Sequence, residues 1–180
     1  RRSLMVDDSS GRLVLVDLAD RELGFCEKLP CHQKGLLHRA FSVFLFDGNK
    51  VLMTQRSLCK YHSGGLWTNS CCSHPRVGEG LDEAVARLYE ELGISGVTCR
   101  EAGHYCYRAT FDNGIVEYEY DHIFVGDYAG PLALDPTEAM DARWVDAAQV
   151  ACDVRKRPET FTAWLPGVLP IAFAAQAVRW

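Results

Sequence analysis

The chain has 180 residues, 48% hydrophobic and 24% charged, and carries a formal net charge of −5. That length suits a single domain over 1–180 with a real core, residues 1–10 being expected as a flexible N-terminal segment. The negative balance speaks against a nucleic-acid partner, which needs a basic excess, yet it permits an anionic small molecule held by metal ions and a few placed cations.

In chain order, 13–17 reads as a short strand followed by a turn over 20–24. Two apolar runs, 41–46 and 51–55, flank Asp47-Gly48-Asn49 and predict a hairpin. The clearest helix spans 81–92, where Leu81, Val85, Leu88 and Leu92 recur at helical spacing and Gly93 stands at a left-handed C-cap. A second strand pair, 105–111 and 115–125, turns across Asp112-Asn113-Gly114, and 142–145 is one more short strand. A terminal helix is expected after Pro158, around Phe161, Trp164 and Leu165. The pattern predicts an α+β fold, a mixed β-sheet with helices packed around it as an α/β/α sandwich.

No apolar run reaches membrane-spanning length, and Arg1-Arg2-Ser3-Leu4-Met5 leads into Asp7-Asp8-Ser9-Ser10 without one, so neither a membrane partner nor a secretion signal is expected. The absence of an initiator Met is what a trimmed chain or fragment would show. Eight cysteines, at 26, 31, 59, 71, 72, 99, 106 and 152, lack paired zinc-type spacing. Reduced thiols in a cytoplasm are the expectation.

Several residues can carry chemistry. His32, His38 and His74 sit among polar and small residues, and imidazole with carboxylate oxygen suits Mn²⁺, Zn²⁺ or Fe²⁺. Glu117 and Glu119, two apart on a strand, project from one face. They read either as a solvated edge or as a pair bridged by a cation. Cys72 and His74 share a face if their segment is extended, and a thiol beside a metal-bound histidine becomes a tunable acid or base. Arg87 and Glu91, four apart, share a helix face.

The stretch from Gly65 to Gly93, with WTNSCCSHP, GEG and YEELG, resembles type 1 isopentenyl-diphosphate isomerase. YRATFDNGIVEYEYDHIF downstream and FTAW at 161–164 are similar to further motifs of that family, in the same order. The resemblance implies a Nudix-like fold and interconversion of isopentenyl and dimethylallyl diphosphate, by protonation and deprotonation through a carbocation-like intermediate, in isoprenoid biosynthesis. It makes Cys72 and Glu119 the acid–base pair, Tyr107 the partner of Glu119, and Trp164 an aromatic wall over the reacting carbons. It implies a divalent metal (Mn²⁺, Zn²⁺ or Mg²⁺) on His32, His38, His74, Glu117 and Glu119. Mg²⁺ accompanies the substrate diphosphate at Glu91, and Lys28, Arg56, Lys60 and Arg87 are the diphosphate-binding cations. No flavin is called for, and a monomer or weak homodimer is expected.

The rival is a Nudix hydrolase of a diphosphate. Its box, G-x5-E-x7-R-E-U-x-E-E-x-G-U, aligned on Glu90-Glu91-Leu92-Gly93-Ile94, puts Gly78 at the first Glu, Ala86 at the Arg and Arg87 at the second Glu. Two carboxylates are missing and one has become a cation, so hydrolysis is disfavoured. A non-enzymatic metal-binding domain is a weaker rival, since it needs neither a thiol nor a tyrosine.

Overall fold

The computed structural model describes residues 11–180, without the side chains of 83 and 84; the expected flexible segment over 1–10 lies outside the described residues. β1 (Arg12–Val16) pairs antiparallel with β2 (Glu22–Glu27). Their turn comes earlier than 20–24 because the Asp17 carboxylate accepts the backbone N–H groups of Ala19 and Arg21, closing the chain there. A short helix, α1 (Lys28–Lys34), follows and stops at Gly35, whose φ of 64° is the left-handed C-cap conformation.

β3 (His38–Asp47) and β4 (Lys50–Arg56) form the expected hairpin, with Asp47 opposite Lys50. Beyond Phe46 and Val51 the two strands part. β4 takes β5 (Trp67–Thr68) and β9 (Ala139–Asp146) as neighbours, while β3 takes β6 (Cys71–Ser73). β7 (Cys99–Thr110) and β8 (Val116–Asp127) are the second expected pair, turning at Gly114 with φ 79°. β8 also runs parallel to β3, with His38 beside Glu119 and Phe46 beside Asp127.

The helix expected over 81–92 is interrupted. α2 (Leu81–Ala84) and α3 (Arg87–Leu92) meet at a junction where Leu88 and Tyr89 donate backwards only three residues, to Val85 and Ala86. The apolar stripe survives the break: Leu88 and Leu92 are buried, and Leu81 and Val85 pack against the same core. α4 (Ala147–Lys156) was not expected; Asp146 caps it by accepting from the Ala148 N–H. The terminal helix, α5 (Leu165–Gln176), begins one residue after Trp164.

β3 explains the layering. Phe41, Val43 and Leu45 face α3, while Phe44 and Phe46 face α4 and α5, so the strand is apolar on both sides. The sheet is therefore sandwiched between helices. On the α5 side one face changes character along its length. Ile123 and Val125 of β8 and Phe44 and Phe46 of β3 are core, whereas the preceding same-face residues are Glu117, Glu119 and Asp121 of β8 and His38 and Ser42 of β3. The apolar half anchors α5, and the polar half is the candidate site.

Phe173 of α5, fully buried, meets Phe44 and Phe46 edge-on at centroid distances of 6.4 and 5.9 Å. Phe173→Ala is expected to lower unfolding stability by about 3–5 kcal/mol, measured by denaturant titration. A loss under 1 kcal/mol would mean that α5 is not anchored through this ring.

Candidate active site

Glu117 and Glu119 are 1% and 7% exposed, so the solvated-edge reading gives way to the buried one. β8 is an interior strand, flanked by β3 and β7. Burying two like charges on one face costs several kcal/mol unless cations or donors compensate them. Three histidines are gathered around the pair. His32 comes from α1, His38 from the first position of β3, and His74 from just past β6. His32 Nε2 is in contact with Glu117 Oε1, His38 Nε2 lies 3.8 Å from Glu117 Oε2, and His74 Nε2 lies 3.4 Å from Glu119 Oε2.

The donor set fits a metal ion. One ligand atom each from His32, His38, His74 and Glu117 can be chosen so that all lie within 4.8 Å of one another. His32 Nδ1 lies 2.6 Å from the Lys28 carbonyl oxygen and His38 Nδ1 2.9 Å from that of Leu36. Each Nδ1–H is thereby spent on backbone and each Nε2 faces the cluster, where an ion would displace the proton that Glu117 holds on His32, an arrangement that orients imidazoles for a metal. His38 Nε2, His74 Nε2 and Glu117 Oε2 are buried without a hydrogen-bond partner. Orphaned acceptors of this kind converging on one point are what a divalent cation satisfies.

Electrostatics agree. Burial pushes His74 down to about 3, against the pull of Glu119, and burial also lowers His38. Both are therefore neutral near pH 7, the form that ligates. His32 is raised, since against its burial the contact with Glu117 holds its proton. Despite its burial, Glu117 is held well below the ordinary carboxylate range by hydrogen bonding to Glu119, His32 and His62.

Register decides which cysteine faces this cluster. Cys72 pairs across the β6–β3 ladder with Ser42, a residue of the polar face, so Cys72 faces the site. Cys71 points the other way, into the α3-side core, where its Sγ donates to Glu91 Oε2 at 3.1 Å. Burial and then the charge of Asp121 push the Cys72 thiol up to about 12, so it carries its proton at neutral pH. It donates to Asn69 Oδ1 at 3.0 Å. The same oxygen accepts from Trp164 Nε1 at 3.3 Å and Thr68 Oγ1 at 2.9 Å, while Asn69 Nδ2 donates to the Val43 and Cys71 carbonyls. Tyr107 sits opposite Glu119 in the β7–β8 ladder, and its hydroxyl donates to Glu119 Oε1.

One cavity is lined by Cys72, His74, Tyr107, Glu117, Glu119 and Trp164 together with Lys28, Arg56, Lys60 and Glu91. His32 and His38 lie fully buried beneath it. The Arg56 guanidinium lies over the Trp164 ring at 5.3 Å, and its buried Nε has no partner. Burial and the neighbouring Glu138 push Glu91 up to about 7. Arg87 is not brought to the cavity: its two terminal nitrogens donate to Glu79 at 3.1 and 2.8 Å. Sequence reasoning missed further lining residues, among them Ser42, Tyr61, His62, Asp121 and Glu138. Of these, Asp121 was legible as the next same-face position after Glu117 and Glu119 on β8.

Fold and site together define a Nudix-fold protein whose sheet carries a buried His/Glu cluster suited to a divalent cation, and residues 36–165 match the NUDIX domain family. A structure of DR0079 from Deinococcus radiodurans is similar with a TM-score of 0.74 at 17% identity, covering 88% of this chain and 97% of that one. The MutT protein of Methanosarcina mazei is similar with a TM-score of 0.62 at 19% identity, covering 78% and 94%. At these identities the likeness speaks for the fold alone. The sequence is more specific. It is 48% identical to isopentenyl-diphosphate Delta-isomerase 2 of Aromatoleum aromaticum, over 93% of this chain and 89% of that protein. It is 44% identical to the isopentenyl-diphosphate Delta-isomerase of Burkholderia multivorans, over 94% and 97%. The chain belongs to the isopentenyl-diphosphate Delta-isomerase family.

The depressed histidine gives a test in the metal-free protein. Folded His74 titrates below its unfolded value of 6.5, so its contribution to stability is present above 6.5 and lost as pH falls toward 3. Imidazole ¹⁵N NMR is expected to show His74 still neutral at pH 5, while His32 has already taken up a proton. A His74 resonance titrating near 6.5 would contradict the burial argument.

Proposed function

We propose that this chain interconverts isopentenyl and dimethylallyl diphosphate by adding a proton to one carbon of the allylic unit and removing one from another. The observation that carries this reading is a protonated thiol, Cys72, and a buried carboxylate, Glu119, lining one cavity with an aromatic wall, Trp164. An unactivated alkene is a weak base, so its protonation creates a high-energy tertiary cation. Cys72 holds an available proton, and Glu119, oriented by Tyr107, is a carboxylate able to exchange one. Trp164 is held edge-on by Asn69 and presents a ring face worth roughly 2 kcal/mol to a desolvated cation. The ring is 4% exposed, which favours exclusion of the water that would trap the cation as an alcohol.

His32, His38, His74, Glu117 and Glu119 would hold a divalent ion, Mn²⁺, Zn²⁺ or Mg²⁺. Such an ion supplies fixed positive charge beside Glu119 and neutralises the carboxylate pair. Glu91 would hold Mg²⁺ arriving with the substrate diphosphate, whose oxygens suit Lys28, Arg56 and Lys60. Arg87 acts at one remove in this reading, since Glu79 already engages it. That pairing also weighs against hydrolysis, because a cation occupies a position where the hydrolase box needs a carboxylate.

Proton NMR of the protein with isopentenyl diphosphate and Mg²⁺ in D₂O is expected to show deuterated dimethylallyl diphosphate. Release of phosphate or a monophosphate would overturn the isomerase reading in favour of hydrolysis. Cys72→Ala is expected to cut turnover by at least 100-fold with metal content unchanged, and near-normal turnover would remove Cys72 from the acid–base pair. Glu119→Gln is expected to lose both turnover and metal retention; keeping either would refute its double role.

A further inference from the structure

Among the described residues, a fourth histidine stands at the cluster outside the candidate ligand set of His32, His38, His74 and Glu117. His62, in the loop between β4 and β5, is 8% exposed, and its Nε2 lies 3.0 Å from Glu117 Oε1. A carboxylate oxygen accepts, so at this contact Nε2 of His62 carries the hydrogen. Its other nitrogen, Nδ1, lies 2.9 Å from the Ser63 hydroxyl, which can donate to it. The tautomer is thus opposite to that of His38, whose Nδ1–H is spent on backbone and whose Nε2 has no hydrogen-bond partner. His62 thus gives Glu117 a donor, where His38 and His74 leave Nε2 without a hydrogen-bond partner.

The ring is clamped. It stacks on Phe111 at a centroid distance of 4.5 Å and an interplanar angle of 9°, and meets Tyr61 edge-on at 4.9 Å and 86°. Phe111 belongs to the turn joining β7 and β8, the hairpin that carries Glu117. The Asn113 side chain of that turn donates to the Tyr61 carbonyl at 2.7 Å, fixing the loop a second time. On Glu117, Oε1 therefore accepts from His62 and is also in contact with His32 Nε2, while Oε2 is the buried oxygen without a partner, 3.8 Å from His38 Nε2.

We infer that His62 is a positioning residue of the cation site, holding Glu117 Oε1 through its Nε2–H so that Oε2 is presented to the ion with His38 and His74. This rests on the reading of the His/Glu cluster as a divalent-cation site. An ordered hydrogen bond to a ligating carboxylate removes its rotational freedom before the ion arrives, and loss of such a partner costs about 10–100-fold in metal affinity.

The test is Mn²⁺ titration of the metal-stripped protein followed by electron paramagnetic resonance. Wild type is compared with His62→Phe, which keeps the stack on Phe111 but loses the donor, and with His62→Gln, which restores one. His62→Asn, too short to reach Glu117, is a second donor-loss variant should Phe not fold; melting in chelator reports folding separately. The expected result is one Mn²⁺ per chain throughout, with affinity weakened about 10–100-fold in Phe or Asn and largely restored in Gln. The ¹⁴N hyperfine pattern of the bound ion should match wild type, because His62 is not itself a ligand. Wild-type affinity in the donor-loss variants would overturn the inference, leaving His62 a packing residue. Loss of one ¹⁴N coupling would overturn it the other way, making His62 a direct ligand. Failure of wild type itself to bind Mn²⁺ would remove the cation site, and the inference with it.

Discussion

Everything at this site follows from placing Glu117 and Glu119 on an interior strand. β8 lies between β7 and the parallel β3, so carboxylates two apart on its α5-facing side are taken out of water together. Such a pair persists only where compensating groups are brought to it. Here donors to Glu117 come from α1 and the β4–β5 loop, while the start of β3 and the end of β6 bring the unpartnered imidazole nitrogens that a cation would join to the pair. The parallel register sets His38 directly beside Glu119. The short α1, ended at Gly35, turns the chain so that His32 reaches Glu117 from beneath; a Cβ at Gly35 would meet Val116 Cγ1 at 3.2 Å, so the approach of α1 to β8 is close.

The acid–base pair proposed for this site builds on the same frame. Glu119 belongs both to the carboxylate pair and to the cross-strand pair with Tyr107, so its position is set by the ladder rather than by a mobile loop. Cys72 is set by a three-residue ladder to β3, which also explains why its neighbour Cys71 is a core residue. Asn69 joins the two halves: one carboxamide, locked by donating to two carbonyls, accepts from the thiol and from the indole of Trp164. An oxygen shared this way fixes the thiol of Cys72 relative to the indole of Trp164, the kind of preorganisation that the proposed acid–base reading needs.

Much of this was legible in the sequence, for identifiable reasons. The hairpins β3–β4 and β7–β8 announce themselves through apolar runs flanking Asp-Gly-Asn and Asp-Asn-Gly turns. The shared face of Glu117 and Glu119 follows from the period of two, and the motif resemblance selected residues that the fold gathers, with Arg87 left outside both the cavity and the His/Glu cluster beneath it. What escaped are elements too short to show a period. β5 and β6 have two and three residues, and α1 is seven residues long, contains Pro30 and lacks a side-chain N-cap. α4 carried a readable cap in Asp146 and an apolar pair in Val150 and Val154, and was overlooked. His62 gives no local signal, because Tyr61-His62-Ser63-Gly64-Gly65 reads as a turn and its partner lies 55 residues away.

The central claim is that one divalent cation completes this carboxylate pair. Anomalous diffraction from crystals soaked in Mn²⁺, recorded on both sides of the Mn absorption edge, tests it most directly. The account predicts a strong peak bounded by Nε2 of His32, His38 and His74 and by Glu117, present without substrate. A peak only beside Glu91, or none within reach of these four side chains, would contradict it.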